Sequence, residues 1–169
     1  MNGLIIRELS PNDAEQLIAY TKQIGGESDN LTFGADGFPV TVEDERGFLQ
    51  SMAENDRAVM LGVWRGDELI ADGSINSLPR RMSHRAELAM IVKKAYWNQG
   101  IGSMLMERLI QYAKEHGIEL IYLEVRADNH AAIHLYEKFG FRQTGTLPAY
   151  FKIGDEYFDF WSMCLDLRG

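Results

Sequence analysis

The stretch that decides the fold runs from Met90 to Leu105 and reads MIVKKAYWNQGIGSML. An apolar strand ends near Val92, a short turn carries Gly100-x-Gly102, and a helix begins at once. Glycines in such a turn let the backbone approach a bulky anion, and the first N–H groups of a helix carry a partial positive charge. The spacing fits neither GxGxxG nor GxxxxGK[ST]. The stretch therefore predicts a turn that receives a pyrophosphate, with tight strand–helix packing as the alternative.

The rest of the chain surrounds this unit with short strands and amphipathic helices. The predicted strands are residues 4–6, 58–64, 68–77, 85–92, 118–125, 141–152 and 157–167. The predicted helices begin after Ser10 and Thr41, at Ile101, and after Asp128 or Asn129. This order predicts an α/β (α+β) fold with a mixed, mostly antiparallel twisted sheet of about seven strands. A central parallel pair is expected across residues 85–125, with about four helices on both faces.

Composition narrows the class of protein. The 169 residues carry a net charge of −8, which argues against a nucleic-acid binder and mildly favours a cationic acceptor such as an amine. No apolar run approaches the ~20 residues of a membrane helix, and the first residues lack the pattern of a signal peptide. The one cysteine, Cys164, excludes an internal disulfide. We therefore expect a cytoplasmic protein with no membrane partner.

A second motif follows the predicted strand that ends near Val125. It runs from Asn129 to Phe141 and reads NHAAIHLYEKFGF. Together the two motifs resemble the GNAT N-acetyltransferase superfamily, in which [RQ]-x-x-G-x-[GA] opens a helix and N-x-x-A-x-x-x-Y-x-x-x-G-F follows the next strand. The resemblance is close from Met90 to Phe141, and the order of elements agrees across nearly the whole chain. It implies one N-acetyltransferase domain over residues 1–169.

The resemblance also implies an activity, a cofactor and a set of site residues. The reaction would be direct attack of a primary amine on the thioester of acetyl-CoA, with coenzyme A as product. Main-chain groups at Met90 would polarise the acetyl carbonyl, Asn129 would bond the pantetheine arm, and Tyr136 would protonate the leaving thiolate. The implied cofactor-binding residues are Met90, Ile91, Val92, Trp97, Asn98, Gln99, Gly100, Ile101, Gly102, Ser103, Asn129 and Tyr136. The alternative for Tyr136 is a core aromatic on the apolar stripe of its helix.

Two positions depart from the family pattern. Trp97 stands where Arg or Gln is usual, so one pyrophosphate contact is predicted to be lost or made by the backbone alone. Lys93 and Lys94 cover a position where proline is common. They would raise the local potential for an anionic cofactor, or form an exposed, solvated pair.

The general base is predicted less directly. The acceptor amine must lose a proton, and Glu87 and Glu124 are the carboxylates best placed to accept it. Burial between strands would raise their pKa toward neutrality. The alternatives are a solvated face for Glu87 and an arginine partner for Glu124. His130 and His134 share a helix at a metal-binding spacing, but no third ligand is evident and no metal is expected.

Acceptor recognition is expected from the first two helices, the loop 25–41 and the terminal hairpin. Carboxylates in these segments suit an amine or are simply solvated; they are Glu27, Asp29, Asp36, Asp155 and Asp159. The aromatic residues Tyr150, Phe151, Tyr157 and Phe158 would line the acceptor pocket or a dimer surface. A small-molecule amine, a protein N-terminus or lysine, and a non-catalytic acyl-CoA-binding regulatory module remain alternatives. The aromatic hairpin segment 158–161 suggests a possible homodimer.

Overall fold

The computed structural model describes residues 3–37 and 39–169. Met1, Asn2 and Phe38, the last in the loop expected to recognise the acceptor, lie outside the described residues. The elements follow the predicted order and are β1 Leu4–Glu8, α1 Ala14–Gly25, α2 Val42–Ala53, β2 Ala58–Arg65, β3 Glu68–Ser77, β4 Arg85–Val92, α3 Ile101–Glu115, β5 Leu120–Arg126, α4 His130–Lys138, β6 Arg142–Ile153 and β7 Glu156–Asp166.

The strands form one mixed sheet in the order β1-β2-β3-β4-β5-β7-β6. The pairs formed by consecutive strands from β1 to β4 are antiparallel, as are β5–β7 and β6–β7. β4 and β5 run parallel, with Arg85–Glu87 opposite Leu120–Tyr122. The predicted seven-stranded mixed sheet with a central parallel pair is therefore confirmed.

Helices cover the two faces of the sheet unequally. On one face α3 and α4 pack over the main core, and α3 comes so close that a Cβ on Gly73 would lie 2.8 Å from Leu109 Cδ1. On the other face α1 and α2 pack against the β1–β3 side of the sheet, around Leu49 and Trp64. The part of this second face formed by β4, β5 and β7 carries the exposed side chains of Glu87 and Glu124. We refer to this part as the open face.

The ends of the helices follow local chemistry. A capping box of Thr41 with Asp44 starts α2, in agreement with the helix predicted after Thr41. A capping box of Ser10 with Asp13 is also present, but it opens a 3-10 turn before α1 begins at Ala14. The strand predicted from residue 118 starts later, because the N–H of Ile118 closes the end of α3 on the carbonyl of Ala113 (2.9 Å).

Candidate active site

The centre of the sheet contains an opening between β4 and β5. Their parallel pairing ends at Glu87, although both strands continue. β4 bonds to β3 through its odd-numbered residues, as the Lys93 N–H to the Ile70 carbonyl shows (2.9 Å). Because successive main-chain groups point to opposite edges of a strand, those of Met90 and Val92 point toward β5. The opening thus offers hydrogen-bonding groups to an extended ligand, as an added strand would use them.

A cleft of about 410 Å³ includes this opening and the turn that precedes α3. Eleven of the twelve cofactor-binding residues predicted from the sequence line it: Met90, Ile91, Val92, Trp97, Asn98, Gly100, Ile101, Gly102, Ser103, Asn129 and Tyr136. Gln99 is the exception, since its side-chain amide donates to the Ala95 carbonyl (3.1 Å). The fold therefore brings residues of the two sequence motifs, 90–105 and 129–141, together around one cleft.

The turn before α3 has the geometry of an anion site. Asn98 (φ 59°) and Gly100 (φ 80°) are both left-handed. The first helical bond runs from the Met104 N–H to the Gly100 carbonyl (3.1 Å), so the N–H groups of residues 101–103 are not used inside α3. A Cβ on Gly102 would lie 3.1 Å from Leu135 Cδ2, a tight approach that requires a small residue at this position.

Tyr136 and Asn129 face the cleft from α4. The Tyr136 ring belongs to the main core, and its hydroxyl has no hydrogen-bond partner among the described residues. Burial raises the pKa of Tyr136 to about 12, so the hydroxyl stays protonated and available as a donor. The Asn129 Oδ1 accepts from the Ala132 N–H (3.3 Å) and caps α4, which leaves its NH₂ group for a ligand.

The two departures from the family pattern have different outcomes. The Trp97 indole N–H donates to the Val92 carbonyl (2.7 Å), so this side chain contacts the strand and not the turn. The idea of an exposed lysine pair is wrong for Lys93, whose buried ammonium lies 3.0 Å from Glu68 Oε1. The Glu68 carboxylate neutralises the charge of Lys93, which lies on the α1 side of the sheet near Tyr20. Lys94, in contrast, is exposed.

The loop after α1 contributes a wall that the sequence motifs did not identify. Glu27 Oε2 accepts from the Lys94 N–H (2.8 Å), and Arg126 Nη1 donates to the Asp29 carbonyl (3.1 Å). Residues of this loop that line the cleft are Glu27, Ser28, Asn30 and Leu31. The loop thus connects the ends of β4 and β5, and Glu27 is more than a solvated loop carboxylate.

The two candidate bases lie on the open face. Glu87 and Glu124 are both exposed, so the expected burial between strands is wrong. Glu87 is opposite Tyr122 in the last β4–β5 pair, and Glu124 follows two residues later on β5, beside the opening. The partner of Glu124 is the Tyr150 hydroxyl and not an arginine, which was the alternative to a role as base. This bond, then burial and the nearby charges of Glu124 and Glu87, raise the pKa of Tyr150.

Within residues 3–37 and 39–169, no cluster of three or more His, Cys, Asp or Glu side chains is placed to hold a metal ion. No helix in those ranges is both long and apolar enough to cross a bilayer.

Comparison with known proteins decides the family. Residues 29–141 match the sequence model of the Acetyltransferase (GNAT) family. This chain belongs to the GNAT acetyltransferase family. The crystal structure of a GNAT acetyltransferase from Streptococcus pneumoniae agrees with a TM-score of 0.93 and 31% identity, over 98% of this chain and 99% of that one. GNAT enzymes use acetyl-CoA as their acetyl donor.

Relatives with named acceptors match a smaller part of the chain. N-alpha-acetyltransferase RimI of Mycobacterium tuberculosis is 34% identical over 94 residues, which is 55% of this chain and 58% of that protein. The ribosomal protein bS18-alanine N-acetyltransferase of Escherichia coli is 42% identical over 60 residues, 36% of this chain and 40% of that protein. The matches thus span about half the length of these GNAT relatives.

The described residues fit acetyl-CoA. The N–H groups of the first turn of α3 suit its pyrophosphate, and the main-chain groups of Met90 and Val92 suit the amides of its pantetheine arm. A side chain larger than a methyl group at Gly102 would press on Leu135 and fill the approach between them. The cofactor therefore matches both the polar groups and the shape of the cleft.

Proposed function

We propose that this chain transfers the acetyl group of acetyl-CoA to a primary amine by direct attack on the thioester. The observation that carries the proposal is the arrangement around one opening in the sheet. Main-chain donors and the Tyr136 hydroxyl line the cleft, and Glu124 lies beside the opening on the open face. In the reaction a C–N bond forms and the C–S bond breaks, while the amine loses a proton and the sulfur gains one.

The donor side of the site is built mainly from the backbone. The N–H groups of residues 101–103 would bind the pyrophosphate, and Met90 and Val92 would pair with the pantetheine arm. Acetyl-CoA supplies the activated acetyl group. The Met90 N–H points into the opening, where it would polarise the acetyl carbonyl, and the NH₂ of Asn129 would fix the arm from α4.

Glu124 is the carboxylate that we propose as general base. It lies past the last β4–β5 pair, beside the opening that Met90 also faces, whereas Glu87 belongs to that last pair, three positions and roughly 10 Å before Met90 along β4. Glu124 would take the proton of the acceptor ammonium directly or through water. Glu87 would add negative charge that attracts the cationic amine to the open face.

Tyr136 is the residue that we propose as proton donor to the leaving sulfur. Its raised pKa, about 12, keeps it protonated at every working pH. Burial opposes formation of the phenolate, but it opposes formation of a thiolate at the same place as well. The two effects offset each other, so a hydrogen bond or proton from Tyr136 remains effective.

The α-amino group of a protein or peptide is the acceptor class that we test first. The open face leaves Glu87 and Glu124 exposed, which suits an extended acceptor better than a closed pocket does. Two relatives are named for N-alpha or ribosomal-protein-alanine acetylation. A small-molecule amine is the second candidate, and a non-catalytic acyl-CoA-binding module is the third.

Calorimetric titration with acetyl-CoA, followed by thiol-release assays over small amines and short peptides, tests the function. We expect binding, and turnover with at least one primary amine or peptide N-terminus. Binding without turnover on any acceptor would contradict the enzymatic proposal and leave the non-catalytic module. Absence of binding would contradict both.

Compartment and assembly belong to the same proposal. A cytoplasmic location is supported by the one cysteine of the chain and by relatives named for a ribosomal protein. A homodimer is supported by exposed apolar side chains on the hairpin, at Tyr150, Ile153 and Tyr157. Phe158 and Phe160 contribute less than expected, because Phe158 packs on Arg126 and Phe160 is buried. A monomer mass in light scattering would contradict the dimer.

A further inference from the structure

Trp97 makes a contact that the proposed chemistry does not use. Its indole N–H donates to the carbonyl of Val92, five positions earlier, at 2.7 Å. The ring lines the cleft and is 43% exposed. The Lys94 ammonium lies 5.9 Å from the ring centroid, a weak contact at an exposed position. The hydrogen bond to the Val92 carbonyl is therefore the main polar contact that fixes the Trp97 side chain.

The Val92 carbonyl is one of the groups that point into the opening between β4 and β5. A strand carbonyl without a neighbouring strand needs another donor or water. The indole N–H of Trp97 supplies that donor. A pantetheine amide pairing with β4 would approach the same oxygen from the same edge of the strand. The oxygen has two lone pairs, but the indole ring lies in the cleft against this edge of β4, so the indole and the cofactor arm compete for the space beside the carbonyl.

We propose that Trp97 is a cofactor-responsive residue: its indole holds the Val92 carbonyl until the pantetheine arm takes that carbonyl, and the ring then turns away from β4. The inference rests on the proposed pairing of the arm with β4. It gives Trp97 a role that a pyrophosphate-binding Arg or Gln would not have. Binding exchanges one hydrogen bond for another, so Trp97 lowers the affinity for the cofactor while keeping β4 in order without it.

The first test follows the indole directly by ¹⁵N NMR of the full chain with labelled tryptophan. The chain has three tryptophans, and Trp97→Phe assigns the Trp97 indole peak. Coenzyme A is the titrant, since it carries the pantetheine arm and does not turn over. We expect the Trp97 indole peak to shift and its exchange with water to speed up. The buried Trp64 indole serves as internal reference.

A second test measures affinity. A hydrogen bond of about 1 kcal/mol corresponds to about fivefold in Kd, so Trp97→Phe should bind coenzyme A about fivefold more tightly. Tyr157→Phe, an exposed change at the hairpin tip, is the matched control and should leave Kd unchanged. Saturation with an unmoved indole peak, or Trp97→Phe binding no tighter than the parent, would overturn the inference alone. Calorimetry that shows no binding would instead overturn the proposed function as well.

Discussion

The hydroxyl of Tyr150 donates a hydrogen bond to the carboxylate of Glu124 across the open face. Tyr150 belongs to β6, and β7 lies between β6 and the strand of Glu124. A bulge between Leu147 and Phe151 re-aims the tyrosine, and the N–H of Ala149 in that bulge is fixed by Asp159 Oδ1 (2.8 Å). The terminal hairpin thereby positions the proposed base, and Asp159 has a structural partner.

Glu124→Gln should separate the proposed base from a residue that only positions others. The amide carbonyl still accepts from Tyr150 but cannot take a proton, so we expect kcat to fall about 10²–10⁴-fold. The Kd for acetyl-CoA should stay within twofold in calorimetry. Glu87→Gln is the matched variant and should mainly raise KM for the amine. Near-normal kcat in Glu124→Gln would remove Glu124 as the base.

Tyr136→Phe tests the proposed proton donor. The ring packing is kept and only the hydroxyl is lost, so kcat should fall by about 10²-fold or more. The free energy of unfolding should change by less than about 0.5 kcal/mol, because the hydroxyl has no described hydrogen-bond partner to lose. Stopped assays and urea denaturation measure the two effects. Unchanged kcat would leave Tyr136 as a core aromatic alone.

In the turn before α3, Gly100 should matter mainly for stability and Gly102 mainly for coenzyme A binding. Gly100→Ala places a side chain at φ 80° and should cost about 1 kcal/mol of stability. Gly102→Val pushes against Leu135 and should weaken coenzyme A binding more than tenfold in calorimetry. Gly145→Ala in β6 meets no atom within 4 Å and is the matched control. Normal binding by Gly102→Val would contradict the assigned pyrophosphate turn.

The burial of Asp72 leads us to expect an unusual pH dependence of the free energy of unfolding. This carboxyl on β3 is buried opposite Ile91, and burial raises its pKa to about 7, with Tyr20 partly opposing and Glu45 adding to the rise. The folded state therefore holds a proton that the unfolded state loses near pH 4. The contribution of Asp72 to the free energy of unfolding should consequently fall as pH rises from about 4 to about 7, by up to about 4 kcal/mol.

Asp72→Asn removes this titration and isolates its contribution. Denaturation of both proteins at several pH values gives the difference between them, in which the other carboxylates cancel. We expect the variant to be relatively most stable at pH 8, where the parent carries a buried charge. A difference that does not vary between pH 4 and 8 would show that Asp72 does not hold its proton in the folded state.

The sequence predicted the order of elements because its apolar strands and glycine stops are local signals. The bounds of β3 and β4 agree with the predicted ones to the residue. The alternation of side chains along β5 assigns Glu124 to one face of the sheet. It does not show that α1 and α2 leave this part of the face uncovered. The contacts of Glu27 with Lys94 and of Trp97 with Val92 join a side chain to the backbone, so no residue pattern marks them.

The opening between β4 and β5 past Glu87 also affects how readily the purified protein aggregates. A sheet ordinarily has two edges, here β1 and β6, where another chain can pair. Main-chain groups that face the gap between β4 and β5 create a third edge in the interior of this sheet. Without coenzyme A, this edge is a place where extended segments of other molecules can pair. The purified protein should therefore aggregate more slowly, and keep longer in storage, when coenzyme A is added to the buffer.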